Sequence, residues 1–189
     1  MKFKTFLAGC LGGLLSLNSC TNSPDMTDYA AYVNPFIGTG GHGHTFPGAI
    51  VPHGMISPSP DTRIDGWDAC SGYYYADSTI NGFSHTHLSG TGCCDYGDVL
   101  LMPTVGEQKY LPTGSQSQQM AYASAFSHQN ETAEPGYYSV FLDTYQVKAE
   151  LTASKRAAIH RYTFPESKKQ DSSSTWTTVC NGRPTKRWK

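Results

Sequence analysis

Two short glycine-flanked stretches each place two histidines two residues apart. GTGGHGHTFPGA contains His42 and His44, and GFSHTHLSGTG contains His85 and His87. On a β-strand, residues i and i+2 face the same side, so each pair could present two imidazoles together. The pattern leaves three chemistries open: a zinc, copper or iron site, a catalytic base, or a pocket that binds a polar ligand.

The metal hypothesis lacks a third ligand at a fixed distance along the chain. Asp95 and Asp98 follow the second histidine pair and are candidates only because they are near it. Metal sites that are recognisable from sequence show their ligands at characteristic spacings. We therefore predict no metal ligands in this chain, and a His-ligated metalloenzyme is kept as a further alternative.

Nucleophilic catalysis is the second chemistry. Cys93 or Cys94 could form a thiol–imidazole pair with His85 or His87. In an exported protein, however, cysteines close to one another are more often structural, so Cys70 could equally form a disulfide with either of them or line a pocket as a buried thiol. The segment LSGTG resembles a nucleophile elbow only loosely, because it lacks the first glycine of that motif.

The third chemistry is a pocket for a sugar, which needs an aromatic face for the ring and planar polar groups for the hydroxyls. The segment DTRIDGWDACSGYYYAD offers Trp67 and three consecutive tyrosines. The charged residues that could engage the hydroxyls are Asp61, Arg63, Asp65 and Asp68. Aromatic residues usually fill a core, but three successive tyrosines cannot all face one core, so at least one is expected to be exposed.

Strand signals dominate the elements that must position these residues. YQVKAELTA at 145–153 alternates apolar and polar residues with a period of two, and AAIHRYTF at 157–164 follows after a tight connection. YYSVFLDT at 137–144 comes after a Pro-Gly turn, and DVLLMPTV at 98–105 is a short apolar run. No window keeps a helical period, so we predict an all-β fold, an antiparallel β-sandwich.

The N-terminus has the layout of an export signal. In MKFKTFLAGCLGGLLSLNSC, two lysines precede an apolar run that ends before Cys20. LNSC resembles the bacterial lipoprotein cleavage box, which predicts a signal peptide over 1–19, a lipid on Cys20 and a tether over 20–29. We expect an exported protein, lipid-anchored in the bacterial cell envelope, with the membrane as a partner. The net charge of −1 and the absence of a basic stripe argue against nucleic acid.

The C-terminal segment differs in composition from the rest. Residues 30–169 are expected to form the β-sandwich domain, which would be incomplete, whereas 170–189 show no alternation and a bias toward Ser, Thr, Arg and Lys. One interpretation is a disordered tail. Another is a frameshift near Lys169, because codons for these residues exist that encode a plausible strand in the −1 frame.

Four stretches that follow one another between residues 32 and 165 resemble the N-terminal domain of glycoside hydrolase family 92. They are YVNPFIGTGGHGHTFPGAIVPHGMISPSPDTR, GWDACSGYYYADSTINGFSHTHLSGTG, DYGDVLLMPTVG and FSHQNETAEPGYYSVFL. The resemblance implies a calcium-dependent exo-α-mannosidase that inverts anomeric configuration. It also implies a β-sandwich followed by an (α/α)6 catalytic barrel, which is expected to be absent from this chain together with both catalytic carboxylates and most calcium ligands.

By resemblance, the N-terminal domain contributes loops to the substrate pocket. The residues expected to bind or buttress the sugar are Trp67, Asp68, Cys70, His85, His87, His42 and His44. No catalytic residue and no metal ligand is predicted within the chain. Calcium is expected to be bound mainly by the C-terminal domain, because it prefers oxygen ligands to imidazole.

The sequence thus predicts the N-terminal fragment of an α-mannosidase that acts on mannose-containing glycans. The fragment itself is expected to be inactive. One alternative from another class is a non-catalytic glycan-binding surface lipoprotein, which would use the same sugar-facing loops. The metalloenzyme is the remaining alternative.

Overall fold

The computed structural model describes residues 27–63, 66–90, 96–106, 120–166, 175–180 and 183–188. Within these ranges the regular elements are β-strands and three short 3-10 helices, at Tyr29–Tyr32, Trp67–Ala69 and His128–Asn130. The strands are β1 (Ser59–Asp61), β2 (Thr79–Ile80), β3 (Gly82–Ser84), β4 (Pro103–Thr104), β5 (Ser124–Ala125), β6 (Glu131–Glu134), β7 (Tyr137–Leu142), β8 (Val147–Ala153), β9 (Ala158–Thr163), β10 (Thr175–Cys180) and β11 (Arg183–Trp188). All their pairings are antiparallel, and the predicted all-β sandwich is confirmed.

The largest sheet has the order β6-β7-β8-β9 and consists of consecutive hairpins. Its three long strands confirm the predictions for 137–144, 145–153 and 157–164. Alternation gives β8 one core face, because Val147, Ala149 and Leu151 are all buried. On the opposite face, where polar side chains are expected to be exposed, Glu150 is only 7% exposed. Side chains from both neighbouring strands cover it.

The remaining strands form smaller sheets, in the orders β1-β3, β2-β5 and β11-β10-β4. The strand within the apolar run at 98–105 is shorter than predicted. Only Pro103–Thr104 belongs to a strand, and Leu101 adds one isolated bridge to Phe83. Val99 has φ of 55°, a left-handed conformation that interrupts extended pairing, although Leu100 and Met102 are buried as expected.

One hydrophobic core joins the large sheet to the short strands. The sheet contributes Tyr138, Val140, Leu142, Val147, Ala149 and Leu151, and the preceding region contributes Ala49, Tyr73, Ile80, Phe83, Leu100, Met102, Tyr122 and Phe126. The core therefore spans both halves of the domain. Large buried side chains that lie within or next to the glycine-rich loops anchor those loops to this core.

Several predicted features lie outside the described residues. These are the signal peptide, Cys20 and most of the tether, together with Asp65, Cys93, Cys94 and Asp95. The domain limits 1–19, 20–29, 30–169 and 170–189 stay predictions. Within the last segment, β10 and β11 pair with each other, and β10 also pairs with β4. In the described part of the chain, no helix has the length and apolar character needed to cross a bilayer.

Candidate functional site

Three loops meet at one end of the short strands. We call them the GHGH loop (38–48), the WDAC loop (66–77) and the HTH loop (85–90). The amide of Gly90 donates to the carbonyl of His44 at 2.8 Å, which joins the HTH loop to the GHGH loop. The hydroxyl of Ser71 donates to the carbonyl of Thr45 at 2.9 Å, which joins the WDAC loop to the same place. The GHGH loop therefore lies between the other two.

The GHGH loop is a series of turns, and neither of its histidines lies on a strand. The arrangement on which the metal hypothesis depended, with His42 and His44 on one face of a strand, is therefore not formed. Gly43 sits against the carbonyl of Gly38, where an added Cβ would lie 2.1 Å from that oxygen, so only glycine fits. His44 follows with φ of 54°, a left-handed conformation that is uncommon outside glycine, although His, Asn and Asp adopt it more readily than other residues. Turns of this kind cannot be read from a period of two.

His42, His44 and Asp68 nevertheless come together. One ring nitrogen of each histidine and one carboxylate oxygen of Asp68 all lie within 4.8 Å of one another. Nδ1 of His42 contacts Oδ1 of Asp68 directly. His44 is only 8% exposed, and the edge of one ring meets the face of the other where His44 packs on Trp67, with centroids 5.2 Å apart. This grouping of two imidazoles and one carboxylate is the main polar feature of the site.

Trp67 is the exposed aromatic residue of the site. It begins the 3-10 helix Trp67–Ala69, and its side chain is 62% exposed although it contacts His44. The preceding Gly66 has φ of 103°, so the chain enters this helix through a conformation that favours glycine. Cys70, at the end of the helix, is buried at 3% exposure. Its predicted disulfide involves partners outside the described residues and stays a prediction.

The second histidine pair separates, because His87 points into the protein. Its side chain is 2% exposed, and its Nε2 lies 3.0 Å from Oδ1 of Asp61 and 2.9 Å from Oγ of Ser84. Its Nδ1 donates to the carbonyl of Ser57 at 2.7 Å. Asp61 in turn accepts from the amide of Ser84 at 2.8 Å. Both nitrogens of His87 are committed, so the geometry gives this residue a positioning role beneath the loops.

His85 packs in a different direction from His87. Its Nδ1 donates to the carbonyl of Val99 at 2.7 Å, and its ring stacks on that of His160 in strand β9, with centroids 4.6 Å apart. Burial, and then the neighbouring imidazole of His85, lower the pKa of His160 to about 4. The two histidine pairs therefore do not assemble a common metal site, which corrects one form of the metal hypothesis.

The three consecutive tyrosines have three different environments, as expected. Tyr73 is fully buried and donates to Glu131 at 3.1 Å, and burial raises its pKa further than that carboxylate does. Tyr74 lies under Arg63, whose guanidinium carbon is 4.2 Å from the ring centroid. Tyr75 is 44% exposed and stacks on His128 at 4.2 Å. One tyrosine thus fills the core and the other two stiffen the rim of the WDAC loop.

Arg63 lies just before the WDAC loop and Asp77 is the last residue of the loop. The ion pair between them holds the two ends of the loop together. The guanidinium donates to both carboxylate oxygens of Asp77 at 2.7–3.0 Å, and this hydrogen bonding is the main reason that the pKa of Arg63 is raised. A bidentate pair of this kind fixes orientation as well as distance. Arg63 is one of the charged groups that the sequence suggested for sugar hydroxyls, and it is already engaged within the protein by Asp77.

Sequence reasoning missed the two histidine–carboxylate pairs. His42 contacts Asp68 and His87 contacts Asp61, and in each pair the partners are 26 residues apart. Asp61 and Asp68 were noted as polar residues near Trp67, but nothing in the sequence assigned either one to a histidine. The fold brings these partners together. The GHGH loop places His42 against Asp68 in the WDAC loop, and the HTH loop places His87 against Asp61 at the end of β1.

Comparison with known proteins identifies the domain. A family model described as the glycosyl hydrolase family 92 N-terminal domain matches residues 32–185. An α-mannosidase of family GH92 from Bacteroides thetaiotaomicron, solved in complex with mannoimidazole, is 46% identical with a TM-score of 0.71, and the match covers 79% of this chain and 19% of that one. A GH92 inverting mannosidase from Bacteroides thetaiotaomicron VPI-5482 is 34% identical with a TM-score of 0.63, covering 79% and 19%.

A curated relative is more distant in source. It is an uncharacterized secreted glycosidase of Arthroderma benhamiae, 32% identical over 139 residues, which are 73% of this chain and 18% of the relative. The chain thus spans about a fifth of the length of the relatives it matches. The family match covers all three loops and both sides of the core. The chain belongs to glycosyl hydrolase family 92 and contains its N-terminal β-sandwich domain.

Proposed function

We propose that this domain forms one wall of the substrate pocket in an inverting, calcium-dependent α-mannosidase that removes terminal α-linked mannose from glycans. The observation that carries the proposal is the exposed Trp67 beside His42, His44 and Asp68, where three loops meet. Two similar structures, a mannosidase with bound mannoimidazole and an inverting mannosidase, support mannose as the sugar.

Trp67 is the proposed contact for the sugar ring. Its indole is 62% exposed, and its packing against His44 limits the orientations that it can adopt. An exposed aromatic face of fixed orientation covers the apolar side of a pyranose with little loss of side-chain entropy. Asp68 and His42 stand next to it with side chains 38% and 79% exposed, so they can exchange hydrogen bonds with hydroxyl groups.

His85, His87 and Cys70 are proposed to support the pocket from behind. Cys70 and the side chain of His87 are buried, and His85 is stacked on His160. Such groups hold the loops in place without reaching the sugar. This support is required because contacts between a pocket and a sugar depend on positions held to within a fraction of an ångström.

The proposal places the catalytic carboxylates outside this chain. An inverting glycosidase needs one carboxylic acid for the leaving oxygen and one carboxylate for the attacking water. The described carboxylates closest to Trp67 in sequence are engaged, Asp61 with His87, Asp68 with His42 and Asp77 with Arg63. Family resemblance assigns both catalytic groups to the C-terminal domain. We therefore propose that this chain alone does not hydrolyse α-mannosides.

Calcium is proposed to bind mainly through the C-terminal domain as well. The family implies a calcium ion, which takes six to eight oxygen ligands. The one group of described residues suited to a metal offers two imidazole nitrogens and a single carboxylate. That donor set does not suit calcium. We therefore place the calcium ligands outside this domain, which contributes the aromatic wall.

Export with a lipid anchor completes the proposal. The secreted glycosidase that matches the chain supports export, and Cys20 in LNSC is the proposed site of acylation. Acyl chains contribute about 0.8 kcal/mol per buried methylene, so multiple acylation would hold the protein on the membrane. The enzyme would then act on glycans at the bacterial envelope.

Binding and turnover measured on the purified chain test these statements separately. We expect mannoimidazole to bind weakly by calorimetry, and Trp67→Ala to abolish that binding. Tyr29→Ala is the matched control, because Tyr29 is an aromatic residue of similar exposure, 77%, outside the three loops. Equal binding by wild type and Trp67→Ala would contradict the role of Trp67.

The second measurement is hydrolysis of an aryl α-mannoside with calcium present. We expect no turnover by the chain alone. Turnover would overturn the placement of the catalytic carboxylates. Binding without turnover is also what a glycan-binding lipoprotein would show, and the exposed Trp67 favours that alternative equally. A chain that extends into a C-terminal domain and hydrolyses the mannoside only with calcium would decide for the enzyme.

A further inference from the structure

His42, His44 and Asp68 form the one group of described residues whose donor atoms are close enough for a metal ion. Their two ring nitrogens and one carboxylate oxygen lie within 4.8 Å of one another. Two imidazoles and one carboxylate are a common set of protein ligands for zinc, which leaves a fourth position open. The set differs from the oxygen-only sites that calcium prefers.

His44 has an uncommitted nitrogen in a buried position. The residue is 8% exposed, and its Nε2 has no hydrogen-bond partner among the described residues. A buried nitrogen without a partner is uncommon in folded proteins, so its presence calls for an explanation. A bound ion would use such a nitrogen as a ligand.

The backbone holds His44 in this position at a further cost. Its φ of 54° is left-handed, and its carbonyl accepts from Gly90 at 2.8 Å, which fixes the peptide on its C-terminal side. The next residue, Thr45, donates from its amide to Gly38 and from its hydroxyl to Ile37, at 3.3 and 2.9 Å. These hydrogen bonds on both sides of the peptide fix where the His44 side chain leaves the loop.

The loops also fix the third ligand. Asp68 lies within the 3-10 helix Trp67–Ala69, and Ser71 ties the following residues to the carbonyl of Thr45. Asp68 and His44 are therefore held to the same short stretch of backbone. His42, with its side chain 79% exposed, is the member that can move to complete a site. Zinc bonds of about 2.0–2.2 Å place neighbouring ligand atoms about 3.3 Å apart, so a small rotation of His42 would close the cluster.

We propose that His42, His44 and Asp68 bind a divalent transition-metal ion, with zinc as the expected occupant, beside Trp67. The ion would replace the direct contact between His42 and Asp68 and would exclude protons from both imidazoles, so its affinity falls as the pH is lowered. The site is distinct in chemistry from the calcium site of the proposed function and does not depend on it.

Metal titration of the full chain, purified without a polyhistidine tag and stripped with a chelator, tests the proposal. We expect one zinc ion to bind per chain with micromolar affinity in competition with a chromophoric chelator. His44→Asn, which tolerates the left-handed conformation, and Asp68→Asn should each weaken binding at least roughly tenfold, which is the loss seen even for outer partners of metal ligands. His53→Asn and Asp143→Asn are matched controls outside the cluster and should bind as wild type does.

Cobalt(II) supplies a second readout that does not rely on affinity. A four-coordinate site with nitrogen and oxygen ligands should give intense visible absorption, and the bound cobalt should quench the fluorescence of Trp67, which lies against His44. Trp67→Phe should remove that quenching while leaving the visible absorption in place. Millimolar calcium should not displace the cobalt.

Three results would overturn the proposal: zinc binding that is not stoichiometric, equal losses in His44→Asn and His53→Asn, or displacement of cobalt by calcium. Unfolding of each variant without metal shows whether it is folded. If His44→Asn fails to fold, Asp68→Asn carries the test, because Asp68 is partly exposed and has ordinary helical surroundings.

Discussion

The large sheet and the three loops satisfy their polar groups in different ways. In β7, β8 and β9 the backbone amides pair with the next strand in unbroken registers of six residue pairs. In the loops, backbone amides pair with side chains: Tyr74 donates to the hydroxyl of Thr62, and His87 donates to the hydroxyl of Ser57. Backbone pairing does not depend on which side chain is present, whereas the loop contacts do. We therefore expect the loops to be the part of the domain that substitutions damage most.

The largest effect is expected for Gly72→Ala in the WDAC loop. An added Cβ would lie 2.3 Å from Oδ1 of Asp61 and 3.1 Å from the ring of His87, at a φ of 89°. The left-handed conformation costs roughly 1–2 kcal/mol and the overlap roughly 1–3 kcal/mol, so we expect a loss of about 4 kcal/mol in the free energy of unfolding by urea. Gly106→Ala has a similar φ of 86° but open space around it, and should lose only about 1 kcal/mol. Equal losses would show that the contact with Asp61 is unimportant.

The next effect concerns His87, which joins three segments beneath the loops. His87→Asn should lower the free energy of unfolding by about 3 kcal/mol, since it leaves a buried carboxylate on Asp61 without its imidazole and the carbonyl of Ser57 without its donor. His53→Asn is the control, because His53 is exposed and its φ of 57° suits asparagine. If urea unfolding gives the same loss for both variants, His87 does not have the positioning role that we assign to it.

The same contrast explains how much could be predicted from the sequence. Alternation is a local property of the chain, so β7, β8 and β9 and their buried face were predicted within a few residues. The turns of the GHGH loop depend on contacts such as Gly43 against Gly38, which a period of two does not reveal. The sequence therefore allowed His42 and His44 to share one face of a strand, and the turns exclude that arrangement.

The residue types of the site were predicted from the sequence, but the contacts between them were not. The exposed tyrosine and the buried one follow from the fact that adjacent residues face different ways, and Tyr75 and Tyr73 confirm this. Which carboxylate meets which histidine depends on how distant loops pack on a common core. Asp61 and Asp68 are seven residues apart, yet one is buried under His87 and the other lies beside His42 on the surface.

A pH-dependent effect is expected where the loops meet the large sheet, at His85 and His160. The pKa of His160 is about 4 in the folded protein against 6.5 as its ordinary value, so between these values the unfolded chain binds more protons. Stability therefore decreases as the pH falls through 6.5 and stops decreasing below about 4. At pH 5 the loss relative to pH 8 should be about 2 kcal/mol. His160→Leu should remove this component of the pH dependence measured by urea unfolding, and an unchanged slope would contradict the burial of this imidazole.

The smallest effect is expected on the outer face of the sheet, at Glu150. Arg161 donates to both of its carboxylate oxygens at 2.6–2.7 Å, and Tyr137 donates at 2.8 Å. These hydrogen bonds, that from Arg161 first, lower the pKa of Glu150 to about 2 from 4.5. The stabilisation is therefore present above pH 4.5 and is lost as the pH falls toward 2.

Arg161→Met tests that ion pair. Its guanidinium is largely exposed and screened by water, so the variant should lose less stability at pH 7 than any of the test variants above, and the difference from wild type should vanish near pH 2. Arg156→Met, in the exposed turn between β8 and β9, should have no measurable effect. A loss at Arg161 as large as that at His87 would mean that the sheet, like the loops, depends on particular side-chain pairs, and the contrast between the two regions would no longer hold.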